Sequence, residues 1–358
     1  MNELEAARTE IDAADREMAQ LFCRRMRAVA QVAAYKKEHG LPVLDAARED
    51  AVVQKNLALL PDASLRALYE DFLRHNMALS RAWQTAALGR NVVAYQGVEG
   101  AFSHIALKKL FPFGEERAYA TWAQVVQAVL SGEAARGVLP FENSHAGDVS
   151  EVLDLCFAHP EICVSAVYDL PVSQNLLGVP GASLADVKRV LSHPQALEQS
   201  AKFIASLGLA AIPCANTAAA AMEVARRGDK ALAAIASRET AQLYGLSLLA
   251  SDVNESADNT TRFIVIQKGD AAALPAGDRF SVLFTVVHEA GSLARVIAAI
   301  GALGYNMECI KSRPMPHRKW EYYFYTEMVG APTEALLNAM RGVCRTVRVL
   351  GIYTKGGM

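Results

Sequence analysis

Two cations stand where a helix should present apolar knobs. Residues 1–39 contain neither glycine nor proline, and Leu4, Ala7, Ile11, Ala14, Met18 and Leu21 recur at three- and four-residue spacing. That periodicity predicts a long amphipathic helix. The next seam position is Arg25, and Lys36 follows on the same face roughly three turns later. Cations turned into a helix bundle are costly unless an anion meets them. Taken alone, Arg25 could equally snorkel to solvent. Downstream, Asp45 has the place of an N-cap with Arg48 and Glu49 in the first turns after it, and Ser80 and Gln84 share a face at i, i+4 spacing. Such a set suits the grip on a small anion.

A second polar series follows short apolar runs. Asn91–Tyr95 leads to Gln96-Gly97-Val98-Glu99-Gly100-Ala101-Phe102-Ser103. Gly137–Leu139 leads to Pro140-Phe141-Glu142-Asn143-Ser144, Val187–Leu191 to Ser192-His193-Pro194-Gln195, and Ala210–Pro213 to Asn216-Thr217. Each predicts a strand, then a polar residue, then a helix. That places hydroxyls, amides and free helix N–H groups at the carboxyl ends of strands, where open α/β sheets bind ligands. Any one of them alone is an ordinary N-cap. Gln96–Gly100 lacks the third glycine and the acidic residue of a dinucleotide site. A further element, Asp258-Asn259-Thr260-Thr261-Arg262-Phe263, opens a strand over Phe263–Gln267.

Composition fixes what must position these groups. The chain has 358 residues, enough for two or three domains, with 52% apolar and 21% charged residues. The net charge is -2 and no basic block occurs, which argues against nucleic acid and leaves any anion to local arginines and lysines. Up to Leu88 the only glycine is Gly40 and the only prolines are Pro42 and Pro61. An all-helical segment over 1–89 is expected, broken near Gly40–Pro42 and Leu60–Asp62. Residues 90–268 alternate β-branched and alanine-rich runs, an α/β pattern. After a linker over 269–278, residues 279–358 read strand, helix, strand, strand, helix, strand, at about 279–287, 292–302, 306–313, 320–329, 333–342 and 346–352, a ferredoxin-like βαββαβ order. The cysteines are scattered and form no metal-like cluster, which suits reduced thiols in a cytoplasmic protein. The acidic start has no apolar core of a signal peptide, and no stretch is long and apolar enough for a membrane span.

The ordered set Arg8, Arg25, Lys36, Asp45, Arg48, Glu49, Ser80 and Gln84 resembles the all-helical chorismate mutases. The resemblance implies a site built across an intertwined dimer, with Arg8 lent to the other subunit. A first helix of ~50 Å would itself be too long to be covered by two shorter helices of one chain. Chorismate to prephenate is a unimolecular rearrangement that needs a held conformer and stabilised charge on the ether oxygen, with no nucleophile and no proton transfer. The resemblance gives the carboxylates to Arg8, Arg25 and Arg48, the ether oxygen to Lys36 and Gln84, and the ring hydroxyl to Glu49. Asp45 and Ser80 support them.

The second series, with Thr217-Ala218-Ala219-Ala220 and Asn259-Thr260-Thr261-Arg262-Phe263, resembles prephenate dehydratase along the whole segment. That family implies two α/β lobes around a cleft, like a periplasmic solute-binding protein. It also implies loss of carbon dioxide and hydroxide from prephenate to give phenylpyruvate. Thr261 is then the catalytic residue, by hydrogen bonding to the leaving hydroxyl rather than full proton transfer. Asn143, Ser144, Ser192, Gln195, Thr217 and Arg262 would hold the keto acid and orient the ring. His193 is an alternative acid, although a His-Pro at a helix start is more often structural. Ala101, Phe141 and Asp148 depart from the family's usual residues.

The last segment resembles the ACT domains of prephenate dehydratases, which bind phenylalanine between paired domains. Gly291, Ser292, Leu293, Asn306 and Ser312 are the effector residues implied, and Lys311 replaces the acidic residue usual before Ser-Arg-Pro. The resemblance thus implies a homodimer or higher oligomer making phenylpyruvate from chorismate, needing no cofactor and no metal, with phenylalanine as effector. Arogenate as substrate, a solute receptor, or a non-catalytic regulatory protein are the alternatives.

Overall fold

A computed structural model describes residues 2–354 other than 40, 42, 44, 88–91, 257 and 317. The chain divides into a helical unit and a larger α/β unit.

Among the described residues the helical unit has three α-helices. α1 spans Glu3–Glu38 and opens with a capping box between Asn2 and Glu5. α2 spans Ala46–Leu57, and α3 spans Arg66–Ala87 after a single 3₁₀ turn at Ala63–Leu65. The break expected at residues 60–62 is observed. Gly40 and Pro42, at the other expected break, lie outside the described residues. The core is small: Val53, Leu57 and Met77. Along α1 only Ala33 is buried, while Leu4, Ile11, Met18 and Leu21 are about half exposed, Ile11 at 58%.

The α/β unit contains two sheets. Its strands are β1 (Val92–Gln96), β2 (Glu115–Tyr119), β3 (Arg136–Asn143), β4 (Gly147–Asp148), β5 (Ile162–Pro171), β6 (Asn175–Gly178), β7 (Arg189–Ser192), β8 (Ala210–Pro213), β9 (Leu232–Ala236), β10 (Ser247–Ala250) and β11 (Thr260–Lys268). Its helices are α4 (Phe102–Leu110), α5 (Trp122–Ser131), α6 (Ser150–Ala158), α7 (Pro194–Gln199), α8 (Ala201–Ser206), α9 (Thr217–Arg227) and α10 (Arg238–Tyr244). One sheet runs β10-β6-β9-β7-β8. The other runs β5-β11-β3-β1-β2 and continues past β5 into the C-terminal elements.

Those elements are β12 (Arg279–Thr285), α11 (Ser292–Ala302), β13 (Met307–Pro314), β14 (Tyr322–Val329), α12 (Glu334–Arg341) and β15 (Thr346–Tyr353), the βαββαβ order read from the sequence. Continuity with the preceding sheet was not legible there. β15 lies parallel to β5, with Gly351 opposite Val164. A Cβ on Gly351 would stand 2.3 Å from the Val164 carbonyl oxygen, so the contact requires glycine.

One strand-to-helix expectation fails. β3 runs through Pro140 to Asn143 and folds back into β4, and helix α6 starts only at Ser150. Proline within a strand needs relief of the ladder. The pairing with β11 shifts register there, from Arg262 opposite Glu142 to Phe263 opposite Pro140.

Candidate active sites

In the helical unit a cavity of about 720 Å³ opens among the three helices, and its wall includes Arg25, Lys36, Asp45, Arg48, Glu49, Ser80 and Gln84. Arg25 enters from α1 and donates to Ser80 Oγ, and to Asn76 Oδ1 at 3.0 Å. These partners are neutral, and burial lowers the Arg25 pKa. A desolvated cation with neutral partners is a place for an anion. Lys36 Nζ donates to the Val43 carbonyl at 2.6 Å. Asp45 caps α2, its Oδ1 accepting from Arg48 N–H at 3.0 Å.

Gln84 is buried and its Oε1 has no partner among the described residues. Leaving a buried carboxamide atom unpaired costs about 1–3 kcal/mol. Arg81 was missed from the sequence. It lines the same wall and pairs with Glu49 in a close ion pair. The available signal was a third-helix cation next to Ser80, with Glu49 in need of a partner. Arg8 is exposed on α1, about 25 Å along the axis from Arg25 at 1.5 Å per residue, and does not reach this cavity.

In the α/β unit a cavity of about 360 Å³ gathers Asn143, Gln195, Thr217 and Thr261 with His193. Asn143 is the hub. Its Nδ2 donates to Thr261 Oγ1 at 3.0 Å and to Asn259 Oδ1 at 2.8 Å. Its Oδ1 accepts from the N–H groups of His145 and Ala146 at 3.1 and 2.9 Å, and from Gln195 Nε2 at 3.4 Å. With its oxygen already accepting from Asn143, the Thr261 hydroxyl keeps its own proton to donate. The helices α4, α5 and α9 all begin at this wall, through Phe102, Trp122 and Thr217. Their free N–H ends give positive potential without a formal charge.

Among the described residues lining this cavity there is no lysine, arginine, aspartate or glutamate. The wall is carboxamides, hydroxyls and apolar groups, and His193 is its one ionisable side chain. His193 caps α7, its Nδ1 accepting from Gln195 N–H at 3.3 Å, and burial lowers its pKa. The ring that accepts at Nδ1 is neutral and carries its proton on Nε2.

Three expected residues do not line the cavity. Arg262 follows Thr261 on β11 and, by strand alternation, projects to the other face. There it holds Asp169 through Nε at 2.9 Å and Nη2 at 3.2 Å, and approaches Glu327 of β14 at 3.7 Å. The Asp169 hydrogen bond outweighs burial and raises its pKa. Ser192 Oγ donates to the Ile235 carbonyl at 2.6 Å and is fully buried. Ser144 Oγ accepts from Thr260 N–H at 3.0 Å, tying the β3 end to β11.

Conversely, Gln174, Gln199, Asn259 and Trp122 line the cavity unassigned by the sequence. Gln199 was findable at i+4 from Gln195. Gln174 follows β5 outside any motif, and both its Oε1 and Trp122 Nε1 are buried without a partner among the described residues. The residues expected to bind an effector lie elsewhere. Gly291 caps α11 at φ +79, and buried Ser292 accepts from Arg295 at 2.9 Å. Leu293 packs on the C-terminal core, and Asn306 and Ser312 are exposed.

Among the described residues no group of three or more histidine, cysteine, aspartate or glutamate side chains could hold a metal, and no helix is long and apolar enough to cross a membrane. All six cysteines are free.

Residues 93–271 match the family described as prephenate dehydratase, and residues 7–85 that described as chorismate mutase type II. A bifunctional chorismate mutase/prephenate dehydratase of Aquifex aeolicus (strain VF5) is 29% identical over 370 residues, 99% of each chain. The chloroplastic arogenate dehydratase/prephenate dehydratase 1 of Arabidopsis thaliana is 32% identical over 73% of this chain and 71% of its own. A crystal structure of prephenate dehydratase in complex with L-Phe, from Arthrobacter aurescens, is 25% identical with a TM-score of 0.69, over 74% of this chain and 90% of that one.

Proposed function

Since the chain belongs to the prephenate dehydratase family, we propose that its two cavities are the two active sites of one route from chorismate to phenylpyruvate. Chorismate mutase and prephenate dehydratase are its activities, and phenylalanine biosynthesis is its function. A non-catalytic role is not favoured.

At the mutase site Arg25 and Arg48 bind the substrate carboxylates, and Lys36 and Gln84 donate to the ether oxygen as its bond breaks. Glu49, held by Arg81, accepts the ring hydroxyl. Asp45 and Ser80 fix Arg48 and Arg25. Arg8 serves a second copy of the chain. What supports a dimer is the apolar seam of α1, exposed in one chain from Leu4 to Leu21.

At the dehydratase site Thr261 donates to the leaving hydroxyl while Asn143 orients it. The C–O bond and the ring-carboxylate bond break together with aromatisation, releasing water after protonation and carbon dioxide. Gln195 and Thr217 hold the keto acid. The observation that carries this reading is the Asn143–Thr261 hydrogen bond inside a cavity bordered by Gln195 and Thr217.

The boundaries proposed are 1–89, 90–268 and 279–358; residues 88–91 lie outside the described residues. The two sheets form two lobes, as in periplasmic solute-binding proteins, and the βαββαβ segment is an ACT domain. Its ligand is phenylalanine, a reading supported by the relative crystallised in complex with L-Phe. Binding between paired copies suits the exposure of Asn306 and Ser312. The protein works in the cytoplasm, where its free thiols stay reduced.

Feeding chorismate to the purified protein tests both sites together. Phenylpyruvate is the expected product. Accumulated prephenate alone would overturn the dehydratase reading, and unchanged chorismate the mutase reading.

A further inference from the structure

Lys311 is a cation where its strand should be apolar. Its side chain, on β13, is only 8% exposed, and its ammonium lies 5.3 Å from the centroid of the Phe141 ring. It pairs with Glu142 Oε2 at 3.0 Å and, more closely, with Asp148. Burial alone would lower its pKa, but the two carboxylates outweigh it and the net shift is upward.

The two carboxylates belong to opposite strands of one hairpin. Glu142 on β3 stands directly across from Asp148 on β4, and Asn143 across from Gly147. Like charges directly opposite in a ladder repel. The turn between them is held from inside by Asn143, whose Oδ1 accepts from His145 and Ala146. Asn143 also donates to Thr261. Strand alternation sets Glu142 on one face and Asn143 on the cavity face. The ammonium therefore clamps, from behind, the hairpin whose front presents the hub of the dehydratase site.

We propose that Lys311 is a positioning residue for the dehydratase reaction: by neutralising Glu142 and Asp148 it holds the β3–β4 hairpin closed and Asn143 in place on Thr261. The inference rests on the dehydratase reading of that cavity and makes no use of the effector reading. It makes the C-terminal βαββαβ segment part of the dehydratase machinery, because the clamp comes from β13. Removing the cation leaves two facing carboxylates, which splay the hairpin and shift Asn143.

The test is steady-state kinetics on the full chain with prephenate, with mutase turnover in the same preparations. Lys311→Met keeps the aliphatic stem and is expected to lower dehydratase kcat about tenfold with little change in KM, since small misplacements of aligned groups are costly. Mutase turnover stays at the wild-type value. Lys311→Arg retains most of the activity. Adding Asp148→Asn to Lys311→Met removes the repulsion and restores most of the lost kcat, a rescue that mere loss of stability would not show. Wild-type kcat in Lys311→Met overturns the proposal, and so does a loss that Asp148→Asn fails to relieve. Should Lys311→Met not fold, Lys311→Gln, which removes the charge and keeps a hydrogen-bond donor, is expected to lower kcat about threefold and to regain it with Asp148→Asn, and an unchanged kcat in Lys311→Gln overturns the proposal. A wild-type protein inactive on prephenate would instead overturn the dehydratase reading, and this inference with it.

Discussion

Arg25, Lys36, Arg48 and Arg81 border the cavity of the helical unit, whereas His193 is the one ionisable side chain among the described residues lining the dehydratase cavity. On the proposed assignment both cavities receive dicarboxylates, so the difference is not one of ligand charge. It follows the fate of that charge. The mutase keeps both carboxylates from substrate to product, and cations that grip them also fix the reactive conformer. The dehydratase must expel one carboxylate as neutral carbon dioxide. A cation there would stabilise the ground state more than the transition state, and only the reverse accelerates chemistry. Helix N-termini and carboxamides give orientation with weaker electrostatic hold.

Variants that silence one half sharpen this contrast most. Lys36→Ala should lower mutase kcat by about 10²–10³, the range for loss of one preorganised donor, with prephenate turnover unchanged. Thr261→Ala should do the same to the dehydratase alone, again by about 10²–10³. Assaying each variant with both substrates checks these outcomes. If Thr261→Ala retains turnover while His193→Ala loses it, the donor is the histidine. Gln96→Lys, which sets a cation at the cavity wall, should lower KM for prephenate yet lower kcat about tenfold, because the charge it holds must disappear.

A smaller effect concerns pH. The folded-state pKa of His193 lies below its ordinary value of 6.5 because of burial. Its contribution to stability is therefore present above pH 6.5 and is lost as pH falls through the folded value. Protonation also takes Nδ1 away from Gln195 N–H. Dehydratase kcat/KM should show an acid limb below pH 6.5 that His193→Asn, which keeps a cap acceptor, removes. A pH–rate profile of both proteins tests it.

How much of this was legible in sequence depended on locality. Helical periodicity put Arg25 and Lys36 on one face of α1, and only the resemblance to the chorismate mutases joined them to Glu49 and Gln84 in one site. The six C-terminal elements were placed within about two residues because short apolar runs and the turn residues between them mark strand and helix ends locally. Strand alternation gives Thr261 and Arg262 opposite faces, yet only the tertiary partners of Arg262, Asp169 and Glu327, show which face is the cavity. Ser192 looked like a ligand group because no sequence shows that its hydroxyl is taken by the Ile235 carbonyl. Of the residues set apart from the family's pattern, Lys311 pairs with Asp148 and stands over the Phe141 ring, while Ala101 lines the cavity. Lys311 is far from Phe141 and Asp148 in the chain, and only the fold brings them together.

The contrast between a cation-lined and a cation-free grip is tested most directly by ionic strength. The Debye length falls from about 10 Å at 0.1 M to about 3 Å at 1 M. With one preparation and both substrates, KM for chorismate should rise several-fold over that range while KM for prephenate changes less than about twofold. Equal salt slopes for the two reactions would contradict the account.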